Sequence, residues 1–435
     1  MTSYRLPHGG ARIDRSDTVA FTVDGRQHFG LAGDTLASAL LANGVRVMGR
    51  SFKYHRPRGV MAIGVDEPNA LFTVVTDGVR EPNVRATEIE IFDGLAVESQ
   101  NRWPTLDTDL MAVNQLGGKA LAAGFYYKTF MGPVIGPLKG TRFWMVCERF
   151  IRRAAGLGSP GTAPDQSRYE RINAFCDVLV VGGGMAGLHK AVEQAEAGKR
   201  VIVCEIESHW GGGADAKNES EIRRMVDLLQ SHPQVTLLPR TTVWGFYDGN
   251  TLAATERVTD HLRTAPEGAP RQRTWTIRAG HVALATGALE RPIVFAGNDR
   301  PGVMLADAAR RYAAAFGVLP GRHLTIFTNN DSAYTAAVAL REAGANIRAI
   351  VDLRAEIGDA ARALADRAGG RLLTGYAVIG TKGARGLTSV SVARYRHDTQ
   401  SFSGGSEEIE TDALLVSGGW SPVVHLASQA GAKPV

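Results

Sequence analysis

Between Asp17 and Glu98, apolar and polar residues alternate in short runs, VAFTVDGRQHFGLAG, ALFTVVTDG and RATEIEIFDGLAVES, which predict strands with one buried face. One stretch breaks that alternation. LASALLANG carries Leu36, Leu40 and Leu41 at helical spacing, with Asp34 or Thr35 placed to cap the helix and Gly44 to end it. Short strands around one helix predict a small β-grasp-like α+β domain over residues 1–100. From 101 to 171 the pattern dissolves into Gly, Pro, aromatic and basic residues. There Phe125, Tyr126, Tyr127, Phe130, Phe143 and Trp144 mark either a surface covered by another chain or local packing against neighbouring domains. GLGSPGTAPDQS, residues 156–167, has the composition of a linker.

After the linker the rhythm becomes α/β. CDVLVVGGG, a helical stretch and RVIVCE are followed by strand-like HVALATG, HLTIFT, IRAIVD and DALLVSGG. The strand Val178–Val181 runs into Gly182-Gly183-Gly184-Met185-Ala186-Gly187 and then a helix ending near Gly198. Here Gly182 allows the tight turn, Gly184 lets the backbone approach a pyrophosphate, and Gly187 permits close helix–strand packing. The helix start, with Met185 and Ala186, offers N–H donors and a positive dipole to phosphates. The next strand ends at Glu205-Ile206, where a carboxylate accepts from adenosine ribose hydroxyls and disfavours a 2′-phosphate. A lone glycine motif is weak, but strand, glycines, helix, strand and acid follow in order.

Further turns fit the same ligand. Gly211-Gly212-Gly213 can carry a loop over the pyrophosphate, and Thr286-Gly287 and Gly418-Gly419 end strands in the way expected of turns closing around a dinucleotide. Thr242 and Val243, on a short strand, stand where the two-dinucleotide-fold flavoprotein reductases that this segment resembles usually place backbone contacts to adenine. A second strand-turn-helix-strand unit, His323 to Asp352, echoes the first, but its turn reads Asn329-Asn330-Asp331-Ser332-Ala333 without glycine. Asp331 or Ser332 can still cap its helix. The expected fold is a two-dinucleotide-binding-domain (disulfide-reductase-like) Rossmann fold. Its dinucleotide-binding domain spans 172–296 and 408–435, and 297–407 forms an inserted, degenerate nicotinamide-domain-like unit.

Composition then narrows the function. Forty-nine Lys and Arg against 44 Asp and Glu give a net charge of +5 spread along the chain, unlike the basic stripe of a nucleic-acid binder. No apolar run is long enough for a membrane span or a signal-peptide core, so a cytoplasmic protein is expected. Cys147, Cys176 and Cys204 form no CxxC pair or zinc spacing, and Cys176 and Cys204 read as packing residues. The eleven histidines show no metal-ligand spacing, and His55, His209 and His425 read as packing or surface residues. A self-sufficient reductase needs a dithiol relay or a second working nucleotide site. Neither is visible, so no catalytic residue and no metal ligand is assigned.

The segment order, with RSFKYHRPRG (50–59), EPNA (67–70), VVGGGMAG and TNNDSAY (328–334), resembles the α-subunit family of heterotetrameric sarcosine oxidases over essentially the whole chain. Relatives that oxidise opines or proline or form cyanide follow the RPRG stretch with cysteines for a [2Fe–2S] cluster. Here VMAIGVDEPN (60–69) has none, so the ferredoxin-like domain holds no cluster. The resemblance implies oxidation of sarcosine to glycine with O2, transfer of the one-carbon unit to tetrahydrofolate, and release of hydrogen peroxide. It places FMN, FAD and the amine-oxidation site mainly on a partner β subunit, zinc on δ, and makes γ a further partner. To this chain it assigns NAD, held without turnover at Gly182, Gly184, Gly187 and Glu205. Met185 stands where proline is common in the family, and Gly213-Ala214-Asp215 is polar where an apolar continuation is usual. The family's α subunit is about twice as long, with a folate-binding domain after this point, so this chain is expected to be its N-terminal part. FAD in place of NAD stays open from the residues alone. So do a stand-alone FAD-dependent NADH oxidoreductase and a non-catalytic assembly module with a vestigial nucleotide site.

Overall fold

The computed structural model describes residues 4–76, 79–121 and 161–433, with 137, 142, 145, 146, 148, 149, 158 and 159. Phe125, Tyr126, Tyr127, Phe130, Phe143, Trp144 and Cys147 lie outside the described residues. The first domain is a five-stranded sheet in the order Arg26–Ala32, Asp14–Val23, Ala96–Ser99, Leu71–Thr76, Val79–Arg85. Its central pair, Asp14–Val23 with Ala96–Ser99, is parallel and the remaining pairs are antiparallel, which is the β-grasp arrangement. Helix Leu36–Ala42 is buried along its whole length, including the expected Leu36, Leu40 and Leu41. Thr35 caps it in a reciprocal box with Ser38. Asp34 instead is fully buried and receives Arg5 and the Ser38 hydroxyl.

A six-stranded sheet follows, in the order Val235–Leu238, Val201–Cys204, Tyr169–Val181, Gln272–Leu284, Thr251–Arg257, Thr241–Tyr247. Its first four strands are parallel and the last two turn back antiparallel. Tyr169–Val181 starts well before its apolar run, because its polar first half pairs with Gln272–Ala279. Helix Met185–Glu196 packs Leu188, Ala191 and Ala195 onto one sheet face. On the other face lie Cys176 and Cys204, both buried as expected; burial pushes the Cys176 thiol up to about 11 and raises that of Cys204 further.

A third, all-parallel sheet runs Val303–Leu305, Ala413–Ser417, His323–Thr328, Asn346–Asp352, Arg371–Thr374. This corrects one expected boundary. Ala413–Ser417, assigned to the first dinucleotide domain, lies between two strands of the second, because five buried residues need a neighbour on each edge and cover on each face. The chain crosses back only afterwards, where Ala288–Glu290 pairs with Trp420–Pro422 as a two-stranded link. Helices Ala306–Phe316 and Ser332–Glu342 share one continuous apolar core with the β-grasp domain. That core holds the first domain against the second unit. No helix among the described residues is long and apolar enough to cross a membrane.

Candidate functional site

Where strand Tyr169–Val181 meets helix Met185–Glu196, the three fingerprint glycines differ in what surrounds them. Gly182 has φ +104°, and a Cβ there would stand 2.2 Å from the Ala285 carbonyl oxygen. A Cβ on Gly187 would stand 1.8 Å from the Gly182 carbonyl oxygen, so helix and strand pack at a distance only glycine permits. A Cβ on Gly184 would meet nothing within 4 Å. That empty position faces a cavity of about 920 Å³, lined by Gly182, Gly184, Glu205, Ile206, Thr242 and Val243 among others.

The acid at the end of the second strand is well placed. Glu205 is 5 % exposed; its Oε2 accepts from the Gly183 N–H at 2.6 Å and its Oε1 from the Glu207 N–H at 2.8 Å. Each oxygen keeps a lone pair for a ligand hydroxyl. Burial raises its pKa, and the backbone donors act against that rise. Gly212 and Gly213 line the cavity beside the turn, tied by the Gly211 N–H to the Gly183 carbonyl at 2.8 Å and by Arg310 Nη2 to the Gly213 carbonyl at 2.8 Å. Thr286 and Gly287 complete the wall.

Four expected positions lie off the cavity lining. Gly187 is a packing glycine, as expected, and Met185 packs against the core behind the helix. Ala186 is exposed; what it and Met185 can offer a ligand is backbone N–H, since the first helical bond is Leu188 N–H to the Gly184 carbonyl at 2.9 Å. Gly419 stands immediately before the link strand Trp420–Pro422, its carbonyl accepting from the Arg291 N–H at 2.8 Å, and the neighbouring Trp420 lines the cavity.

Sequence reading missed the charged rim. Glu207 binds Arg12 at 2.9 Å and Arg311 at 2.5 Å. Burial works to raise its pKa, but the two guanidiniums outweigh that and hold it at about 2. Arg12 precedes the first strand and Arg311 sits on helix Ala306–Phe316, so no local signal joins them to Glu207. His209 and His425 also line the cavity; burial, with Arg12 nearby, pushes His209 down to about 4, so it is neutral at pH 7.

In the second unit the glycine-free turn closes on itself. The Asn330 Oδ1 accepts from the Ser332 N–H at 3.1 Å and hydroxyl at 2.6 Å, while its Nδ2 donates to the Ser417 carbonyl at 3.1 Å. Neither expected cap acts as one: Asn330 takes the helix N–H, and Asp331 pairs with Arg354 at 2.8 Å. The acid ending the next strand, Asp352, is fully buried and accepts from the Tyr334 hydroxyl and Arg354, each at 2.8 Å.

Two Rossmann-type units, one with an open glycine turn, define the class of two-dinucleotide-fold oxidoreductases. The family model described as pyridine nucleotide-disulphide oxidoreductase matches residues 176–434, more than half of the chain, and the chain belongs to that family. A second model, described as a 2Fe-2S iron-sulfur cluster binding domain, matches residues 16–102. Over its full length the chain is homologous to sarcosine oxidase subunit alpha. It is 48 % identical to that of Rhizobium meliloti (strain 1021) over 444 residues, covering 100 % of this chain and 43 % of the relative. To that of Corynebacterium sp. (strain P-1) it is 38 % identical over 453 residues, covering 100 % and 41 %. The chain therefore spans less than half the length of these sarcosine oxidase relatives. The solved structure of L-proline dehydrogenase from P. horikoshii shares the fold, with a TM-score of 0.60 and 20 % identity over 97 % of this chain and 64 % of that one.

An iron–sulfur cluster does not fit the first domain. Residues 16–102 contain no cysteine, and among the described residues no three His, Cys, Asp or Glu side chains gather as metal ligands.

Proposed function

We propose that this chain is the nucleotide-holding, non-catalytic N-terminal part of the α subunit of a sarcosine-oxidising complex. In that complex the partner β subunit mainly supplies the amine-oxidation site with its FMN and FAD, γ and δ are further partners, and tetrahydrofolate accepts the one-carbon unit outside these residues. The single observation that carries this reading is the contrast between the two units. The turn at Gly184 is open to a large cavity, whereas the turn at Asn330 is filled by its own side chains. One open site beside one closed one supports holding a nucleotide rather than relaying hydride between two.

At the open site, the N–H groups of Met185 and Ala186 would face the pyrophosphate, Glu205 the adenosine ribose, and Thr242 and Val243 the adenine. We infer NAD as the occupant. A nicotinamide dinucleotide can carry hydride, but no dithiol stands in this chain to receive it. The carboxylate at Glu205 would repel a 2′-phosphate, which disfavours NADP. We place the complex in the cytoplasm.

The test is to denature the purified chain and identify released small molecules by absorbance and mass, for the parent and for Gly184→Asp. Release of NAD by the parent and its loss from the variant is the expected result. FAD released from the parent would make this chain a redox component in its own right. An empty parent would leave an assembly module.

A further inference from the structure

The segment Val60–Ala70 is wound around one buried side chain. Glu67 is 2 % exposed, and its Oε2 accepts from the N–H groups of Met61 at 2.7 Å and Ala62 at 2.8 Å. Its Oε1 accepts from Asn69 at 2.7 Å and Ala70 at 2.9 Å. Four converging donors form a concave anion nest, and the chain fills it with its own carboxylate. Burial raises the pKa of Glu67, and the four donors oppose that rise. This nest lies within the stretch matched by the cluster-binding model, in a domain without a cysteine.

Behind the nest the segment is clamped to the second unit, with the Leu305 N–H donating to the Met61 carbonyl at 2.9 Å and the Tyr312 hydroxyl to the Ala62 carbonyl at 3.1 Å. Between the pinned ends, Ile63, Gly64, Val65 and Asp66 line the same cavity as Gly184 and Glu205. A Cβ on Gly64 would lie 3.9 Å from Glu207 Oε1, two residues beyond the ribose acid. The rim is fastened across the two domains by Arg12–Glu207 and by Arg240–Glu90, the latter through two bonds of 2.6 and 2.7 Å. Val65 is 37 % exposed, between half-buried Gly64 and Asp66.

We propose that the β-grasp domain forms one wall of the dinucleotide site, that Ile63–Asp66 contact the bound nucleotide, and that Glu67 is the positioning residue holding this wall. This rests on the nucleotide reading above. The domain thus serves the nucleotide by shape, with an internal carboxylate organising the segment.

Two variants test it, with NAD and FAD each titrated by calorimetry well below the unfolding temperature. In Glu67→Gln one acceptor oxygen becomes an NH2 donor, so two of the four N–H groups lose their partner and the segment must shift. Val65→Trp leaves the nest intact and projects a large ring into the cavity. The expected result is at least a tenfold weaker Kd for both, with Val65→Trp keeping the parent's unfolding temperature without nucleotide. A merely structural Glu67 would lower that temperature and leave the Kd of the folded protein unchanged. Should Glu67→Gln fail to fold, Val65→Trp decides. Parent-like affinity in Val65→Trp, alongside loss of binding in Gly184→Asp, would overturn the wall and leave the nucleotide reading standing. A parent that binds neither nucleotide would overturn both.

Discussion

Replacing Gly184 by Asp moves stability and binding in opposite directions. Gly184 has φ −71° and caps helix Met185–Glu196 without a side-chain hydrogen bond, and a Cβ there has 4 Å of clear space. Asp is a favoured N-cap, so the apo protein gains a few tenths of a kcal/mol from the new cap. Its charge at the positive end of the helix adds about 0.3–1 kcal/mol. The same carboxylate stands where the proposed nucleotide would set its pyrophosphate. One charge pair at about 4 Å in a site of effective dielectric near 20 costs about 4 kcal/mol, and each 1.4 kcal/mol is tenfold in affinity. NAD affinity therefore falls by at least about 100-fold even after screening and side-chain rearrangement. Thermal unfolding without ligand measures the first effect and calorimetric titration the second. Unchanged affinity would refute the placement of the pyrophosphate, and a large loss of apo stability would refute the open space at Gly184.

Gly187→Ala acts the other way: with its Cβ at 1.8 Å from the Gly182 carbonyl oxygen, helix and strand must separate, costing about 1–3 kcal/mol in denaturant unfolding with little change in m value. The ion triplet of Glu207, Arg12 and Arg311 makes stability pH-dependent. Because the folded pKa is held at about 2, below the usual carboxylate value, its stabilisation is complete above about pH 5 and fades as pH falls towards 2. The loss is on the order of 1–3 kcal/mol, discounted for the 23 % exposure of the Glu207 side chain, and Arg311→Met should flatten that acid limb of the stability curve. Reconstitution with iron and sulfide is expected to add no cluster absorbance and no thermal stability; a gain in both would require ligands outside residues 16–102.

What the sequence determined by itself was local. Strand, glycine turn, helix and terminal acid follow one another over residues 178–205, so this local unit and the packing of Gly187 against the Gly182 carbonyl were legible, while the contact that makes Gly182 a glycine comes from distant Ala285. Also legible was the absence of any cysteine from residues 16–102, where a ferredoxin-type cluster would need its ligands. Tertiary structure decided the rest wherever a residue's role depends on a distant partner. ALLVS at 413–417 reads as a buried parallel strand in either sheet, and only pairing with Val303–Leu305 and His323–Thr328 assigned it. Asp34 and Thr35 are both good caps by residue type, but Arg5 draws Asp34 inward and leaves the cap to Thr35. Glu67 looks like any acid in a loop, and four backbone N–H groups from both sides of a turn make it the centre of that loop. Arg12 and Arg311, almost three hundred residues apart, meet at Glu207 because the β-grasp domain packs onto helix Ala306–Phe316. Such pairings depend on how two domains bury a shared apolar face, and hydrophobic periodicity reports that such a face exists without naming what covers it.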